Sequence, residues 1–252
     1  MTPFSLLLGI GASLGLLRVV QTAPASSRLR WMTTALITLT GALIGARVGF
    51  VVAYASYFKI HPQEIIQITH GGLSWPGAVV GAILFAWLAL MLFKLPKLAG
   101  FDHMSRMILP IAVAGWLAAW QASIGYGQLL PADTWWGMTI TDDSGLTALR
   151  VPVQAFAVLS LILLLGVSEW LVRHAQKPGV KAAVITSIIS IHALLFSFLR
   201  VDAVQRFFGL RLDTWVGIFF LSGSITFLII ILTHKKPIPA PEVTEMEKQD
   251  ET

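Results

Sequence analysis

"MTTALITLTGALIGARVGFVVAYA", residues 32–55, is a long apolar run that carries a single charge, Arg47. A bilayer core about 30 Å thick is crossed by about 20 apolar helical residues, so this run is long enough to span with some tilt. The rest of the chain has the same character. Of its 252 residues 56% are apolar and only 12% are charged, whereas a soluble domain carries about 25% charged residues. That much apolar surface has no adequate polar cover in water, and the composition excludes a soluble globular domain. The fold class it implies is an all-α, polytopic membrane protein.

Seven runs fit the helical template: residues 3–20, 32–55, 77–93, 107–124, 153–172, 182–200 and 215–233. The first lacks a basic leader and has Arg18 after its apolar stretch, which suits an uncleaved first span. The fourth is short and contains Pro110 and Gln121. Orientation follows from the basic residues. Arg18, Arg28, Arg30, Lys94, Lys97, Arg106, Arg173, Lys177, Lys181, Lys235, Lys236 and Lys248 fall on one side, and Lys59, Arg150, Arg206 and Arg211 on the other. Arg47 and Arg200 remain inside or at the edge of spans. Basic residues accumulate on the cytoplasmic side, which predicts an outside N-terminus and a cytoplasmic C-terminus. The expected organisation is one seven-helix domain over 1–234, with outer loops 56–76, 125–152 and 201–214. A polar tail, 235–252, is expected to be disordered and held at the headgroups by Lys235 and Lys236.

The same rule accounts for the net charge of +5 without a nucleic-acid partner. The chain has no cysteine, so thiolate metal sites are excluded. His61, His70 and Glu64 share an outer loop, but their spacing matches no metal-ligand pattern, and no metal or other cofactor is expected. Trp75, Trp116, Trp120, Trp135 and Trp136 cluster by topology at the outer boundary, as an aromatic belt does.

Arg47 lies about midway along the second span, where an arginine costs about 2.5–3.5 kcal/mol on insertion scales. It requires a partner. One reading is an internal brace to carbonyls or to an acid such as Glu169 or Asp202; the other is a ligand for a lipid phosphate. At the outer end of the next helix stands "ITHGGLSWPGAVVG", residues 68–81. Gly71 and Gly72 permit backbone angles and close approaches denied to other residues. Pro76 suits the first turn of a helix, where its missing N–H is not needed.

Residues 41–81, "GALIGARVGFVVAYASYFKIHPQEIIQITHGGLSWPGAVVG", resemble the most recognisable block of the bacterial prolipoprotein diacylglyceryl transferases. The matching pieces are Gly45-Ala46-Arg47-Val48-Gly49, Tyr57, His61-Pro62 and Gly71-Gly72-Leu73-Ser74-Trp75-Pro76-Gly77. Weaker likeness continues through 115–128, 150–156 and 196–202. The resemblance implies a multi-pass bacterial plasma-membrane protein that moves diacylglyceryl from phosphatidylglycerol to a lipoprotein cysteine. It implies an anionic phospholipid partner, with preprolipoprotein or another membrane protein as a second partner. By the same likeness Arg47, Gln154 and Arg200 are candidate lipid-phosphate ligands, and Gly71, Gly72, Ser74 and Gly77 form a structural turn.

The departures from the family pattern fall on reactive groups. The histidine of the family turn is replaced by Pro76. The Arg, Asn and Glu of the fourth helix fall on Trp116, Ala119 and Ile124, and the Glu and preceding Arg of the sixth fall on Ser197 and Ala193. His70 is then the candidate catalytic base, since imidazole titrates in the useful range. The alternative is a non-catalytic phospholipid-binding protein, or a subunit of a membrane complex, built on that scaffold.

Overall fold

The computed structural model describes residues 2–67, 72–142 and 144–233. The tail at 235–252, with Lys235 and Lys236, and the candidates His70 and Gly71 therefore lie outside the described residues.

The chain folds into helices α1 (Pro3–Thr22), α2 (Arg28–Ala53), α3 (Ala55–Ile60), α4 (Trp75–Leu92), α5 (Lys97–Met104), α6 (Ile108–Gln121), α7 (Val153–Val172), α8 (Val180–Leu199) and α9 (Leu212–Thr233). Six stretches among the described residues are long and apolar enough to cross a membrane: those of α1, α2, α4, α7, α8 and α9. The expected fourth span is represented by α6, which has 14 residues and stops at Gln121 rather than at 124. Residues 122–125 leave helical geometry, with Ser123 and Gly125 both at positive φ.

The loops also differ from expectation. α2 begins at Arg28, four residues before the apolar run, because long basic side chains can lie along a helix and still reach headgroups. The described parts of the three expected outer loops contain regular elements. Residues 56–76 contain most of α3 and a short turn at Pro62–Glu64. Residues 125–152 carry a hairpin of β1 (Met138–Thr141) and β2 (Thr147–Arg150), with Met138 opposite Arg150. Residues 201–214 carry a smaller one, β3 (Arg206–Phe207) with β4 (Leu210–Arg211), running directly into α9.

The burial pattern is the inverse of a soluble bundle. Large apolar side chains point outward, as with Val52 (69% exposed), Leu163 (72%) and Phe219 (71%). The interior holds small and hydroxylated residues such as Ala35, Thr34, Thr38, Ser168 and Ser190. Lipid tails are as apolar as leucine, so helices associate through close packing and buried polar contacts instead.

The closest packing is between α2 and α4. Gly41, Gly45 and Gly49 on α2 meet Gly77 and Gly81 on α4. A Cβ on Gly45 would fall 2.8 Å from Gly81 Cα, and one on Gly49 would fall 2.9 Å from Gly77 Cα. The two backbones touch, and α4 is held against the helix that carries Arg47. Around the bundle α4 packs on α2, α2 on α1, α1 on α6, α6 on α7, α7 on α8, and α8 on α9. α4 and α9 stand at the two ends of this series, and among the described residues they have no comparable packed interface. α5 touches α4, α8 and α1 and closes the opposite end of the bundle.

Candidate functional site

The start of α4, the end of α8 and the start of α9 meet in a buried ionic cluster. Arg200, just past α8, donates from Nε to Asp202 Oδ1 at 2.9 Å and from Nη2 to Asp202 Oδ2 at 2.6 Å, a two-pronged pair. Its Nη1 lies 3.4 Å from Asp213 Oδ2. Arg211 donates to the Asp202 carbonyl at 2.8 Å and approaches its carboxylate at 3.2 Å. Two arginines and two aspartates thus neutralise one another, and removing any one would leave a buried charge without its partner. Burial opposes the charge on Arg200, but the hydrogen bond and charge of Asp202, with Asp213 beyond, outweigh it and raise its pKa. The indole Nε1 of Trp75 donates to Asp213 Oδ1 at 2.8 Å. This bond ties the first turn of α4 to the first turn of α9.

Below that bond α4 and α9 part. Pro76 and Val80 on one side and Trp215, Val216, Phe219 and Phe220 on the other line a cleft of about 300 Å³. Its walls are almost entirely apolar, and it is open along the helices. The segment leading to β3 is tied to the end of α2, where Gln205 Nε2 donates to Ala53 O at 2.5 Å. Trp215 Nε1 donates to Phe207 O at 2.9 Å, fixing the small hairpin over the cleft. The result is an apolar slot bounded at one end by the Trp75–Asp213 bond.

Arg47 reaches from α2 into the loop that precedes α4. Nε donates to Ile65 O at 2.7 Å, Nη1 to Gly72 O at 3.0 Å, and Nη2 to Glu64 O at 2.5 Å. Phe50 and Phe58 flank the guanidinium, with ring centroids 5.7 and 5.3 Å from its carbon. Of the acids expected as partners, Glu169 instead pairs with Arg18, and Asp202 with Arg200 and Arg211. Gly72 has φ +76°, and a Cβ there would lie 2.7 Å from Arg47 Nη1. Glycine is required at this position both for the left-handed backbone and for the approach of the arginine. Ser74 accepts from the Gly77 N–H at 3.4 Å and caps α4, while its own N–H donates to Ala46 O at 2.9 Å. Gly72, Ser74 and Gly77 therefore work as one turn that seats α4 beside Arg47.

Gln154 is 1% exposed. Its Nε2 donates to Ile124 O at 3.0 Å, and its buried Oε1 has no hydrogen-bond partner among the described residues. A buried amide oxygen without a donor is costly. The lining of the apolar cleft does not include Arg47, Gln154 or Arg200. The structure brings Arg200 to Asp202 and Asp213, and Arg47 to the loop carbonyls.

His192, another interior polar residue, has partners within the bundle. His192 Nε2 lies 3.0 Å from Ser160 Oγ and 3.3 Å from Ala157 O, and its ring stacks on Phe196 at 4.3 Å. The positions that depart from the family pattern are packing residues. Trp116 lies under the Arg200 guanidinium at 5.7 Å and beside Phe196. Ser197 shares a hydrogen bond with Thr214 at 2.9 Å, and Pro76 lines the cleft.

The sequence reading missed Arg211, Asp213 and the indole of Trp75, which was read as an interface anchor. A signal was present: Arg200-Val201-Asp202 and Arg211-Leu212-Asp213 are two Arg-x-Asp triplets within one short loop. Arg150 was also passed over. It pairs with Asp142 at 2.5 Å and stacks over Tyr126 at 4.7 Å, locking β2 to its own turn.

Comparison with known proteins agrees with this architecture. The profile of the family described as prolipoprotein diacylglyceryl transferase matches residues 2–230. A protein of Ruegeria pomeroyi named phosphatidylglycerol–prolipoprotein diacylglyceryl transferase is 29% identical over 180 residues, covering 66% of this chain and 60% of that protein. A protein of the same name from Bordetella avium is 27% identical over 202 residues, covering 76% and 74%. One from Chlamydia pneumoniae is 33% identical over 135 residues, covering 50% and 46%. Together with its apolar helices, these bacterial relatives place the chain in the plasma membrane as a multi-pass protein. A match that runs over nearly the whole sequence, on a fold with this bundle, means that the chain belongs to the prolipoprotein diacylglyceryl transferase family.

Proposed function

We propose that this protein takes phosphatidylglycerol from the bilayer through the slot between α4 and α9 and moves its diacylglyceryl group to the cysteine of a lipoprotein precursor. The observation that carries this reading is the slot itself. It is apolar where acyl chains would lie, open to lipid along its length, and bounded at its outer end by the Trp75–Asp213 bond and the Arg200–Arg211 cluster. The names of the bacterial relatives supply the substrate and acceptor.

The chemistry sets the demands on the site. Transfer forms a C–S bond to the cysteine and breaks the C–O bond that joins the glyceryl carbon to phosphate. Glycerol phosphate leaves with the electron pair, and the thiol proton passes to a base. Cations at headgroup depth stabilise the phosphate as negative charge builds on it. Arg47 and Arg200 are the ligands proposed for that task, and Gln154, whose buried Oε1 has no hydrogen-bond partner among the described residues, is the proposed partner of a headgroup hydroxyl. His70 is the proposed proton acceptor. In this reading the chain crosses the membrane seven times with α6 as the fourth span. Its N-terminus is outside, its C-terminus is cytoplasmic, and residues 235–252 form a tail beyond the 1–234 domain.

A second reading, lipid binding without transfer, is favoured by one specific observation. Arg200 is already committed to Asp202 and Asp213, so its charge is spent within the protein. Expression in bacteria depleted of their own transferase separates the two readings. Lipid-modified lipoprotein that disappears with Arg47→Ala supports transfer. Good membrane expression and phosphatidylglycerol binding without modified product supports the binding role.

A further inference from the structure

Lys181, in the first turn of α8, and Arg200, after its last, are separated by about 28 Å along the helix. The cluster at Arg200 therefore has a counterpart at the far end of the bundle. There Asp102, Arg106, Glu169, Arg173 and Lys181 surround a small cavity of about 40 Å³. Both acids are engaged elsewhere. Asp102 accepts from the backbone N–H of Gly179 at 2.7 Å and of Ala182 at 2.8 Å, capping α8 from a neighbouring helix. Glu169 pairs with Arg18. Arg106, Arg173 and Lys181 form no ion pair among the described residues, although the charge of Lys181 reaches Asp102 and Arg173 lies over the Trp170 ring at 5.6 Å. Arg106 Nε is buried and has no hydrogen-bond partner there either.

An excess of positive charge on this side follows from topology alone, but convergence on a cavity does not. Exposed basic residues hold their charge in water at little cost, whereas a sequestered guanidinium N–H without an acceptor loses its hydration with nothing in return. The neighbouring His103 registers the local potential: burial, then the charges of Arg106 and Lys181, hold its imidazole below the usual range. Its Nδ1 is also buried and unpartnered. At about 10–15 Å³ per water-sized group, the cavity holds about three such groups, the scale of the free oxygens of one phosphate.

We propose that Arg106, Arg173 and Lys181 form a second anion site, which seats the phosphate of an anionic phospholipid or a free phosphate at the end of the bundle opposite Arg200. The site is independent of the transfer reaction. A phosphate oxygen there accepts from Arg106 Nε, and the anion draws together the segment before α6, the end of α7 and the start of α8 through Arg106, Arg173 and Lys181.

The test compares the full chain with the R106Q/K181Q variant, first in lipid-free neutral detergent and then with phosphatidylglycerol, phosphatidylcholine or inorganic phosphate added. In lipid-free detergent the variant is expected to melt no lower than wild type, because three converging cations repel one another. Phosphatidylglycerol is expected to raise the melting temperature of wild type more than that of the variant, and native mass spectrometry to count one fewer retained lipid on the variant. Phosphatidylcholine is expected to give no such difference. The same differential response to inorganic phosphate would assign the site to a soluble anion, and its absence to a lipid headgroup. Equal responses of both proteins to phosphatidylglycerol and to phosphate would overturn the proposal. So would a variant that melts lower than wild type by the same margin with and without anions.

Discussion

Trp75 Nε1 donates to Asp213 Oδ1 across 2.8 Å, joining two helices that otherwise leave an open slot between them. Trp75→Phe keeps the ring and removes the donor. A hydrogen bond to a charged acceptor contributes about 1.5–3 kcal/mol, and each 1.4 kcal/mol is about tenfold in an equilibrium. The variant is expected to populate a wider slot, seen as a longer and broader distance distribution between spin labels at Val80 and Val216. An unchanged distribution would show that the bond does not govern the opening.

Asp202 is shared by Arg200 and Arg211. Asp202→Asn leaves two buried arginines to one aspartate, and breaking a buried pair in this way costs about 3–5 kcal/mol. A loss of that size in reversible unfolding, with partial rescue when Arg211→Gln is added, is the expected pattern. Additive losses from the two substitutions would contradict the shared-charge account.

Arg47 holds three loop carbonyls with a planar fork. Lysine retains the charge but lacks the fork geometry. Arg47→Lys is therefore expected to speed amide hydrogen exchange at residues 72–77 nearly as much as Arg47→Gln does. Wild-type protection in Arg47→Lys would mean that the charge alone matters at this position.

The α2–α4 seam allows no side chain. Gly45→Ala places a methyl 2.8 Å from Gly81 Cα, against backbone rather than a movable side chain. Overpacking of this sort costs about 1–3 kcal/mol, and the upper end is expected because two helix axes must separate. Unfolding in mixed micelles measures it, and a neutral result would mean that α4 is free to shift outward.

These relationships mark where the sequence is readable. Apolar length alone located α1, α2, α4, α7, α8 and α9, because a lipid solvent leaves a single dominant signal. It failed at α6, where Gln121 and the positive-φ residues after it end the helix early. The glycines at 41, 45, 49, 77 and 81 recur at four-residue spacing in the sequence, yet nothing local says that the two sets face each other. Trp75 and Asp213 are 138 positions apart, and no local pattern pairs them. Arg47 is recognisable in the sequence as a residue in need of partners, carbonyls or an acid, but backbone carbonyls carry no side-chain signature, so the sequence does not say which ones it finds. The Arg-x-Asp triplets at 200–202 and 211–213 were visible and were read singly, which hid their mutual neutralisation.

The central claim is that phosphatidylglycerol occupies the slot between α4 and α9. Photocrosslinking settles it: phosphatidylglycerol with a diazirine on one acyl chain is reconstituted with the full chain, irradiated, and the adducts mapped by mass spectrometry. Adducts concentrated on Val80, Val216 and Phe219, and reduced by excess unlabelled phosphatidylglycerol but not by phosphatidylcholine, are the expected result. Labelling spread evenly over outward residues such as Val52 and Leu163, with no competition, would contradict it.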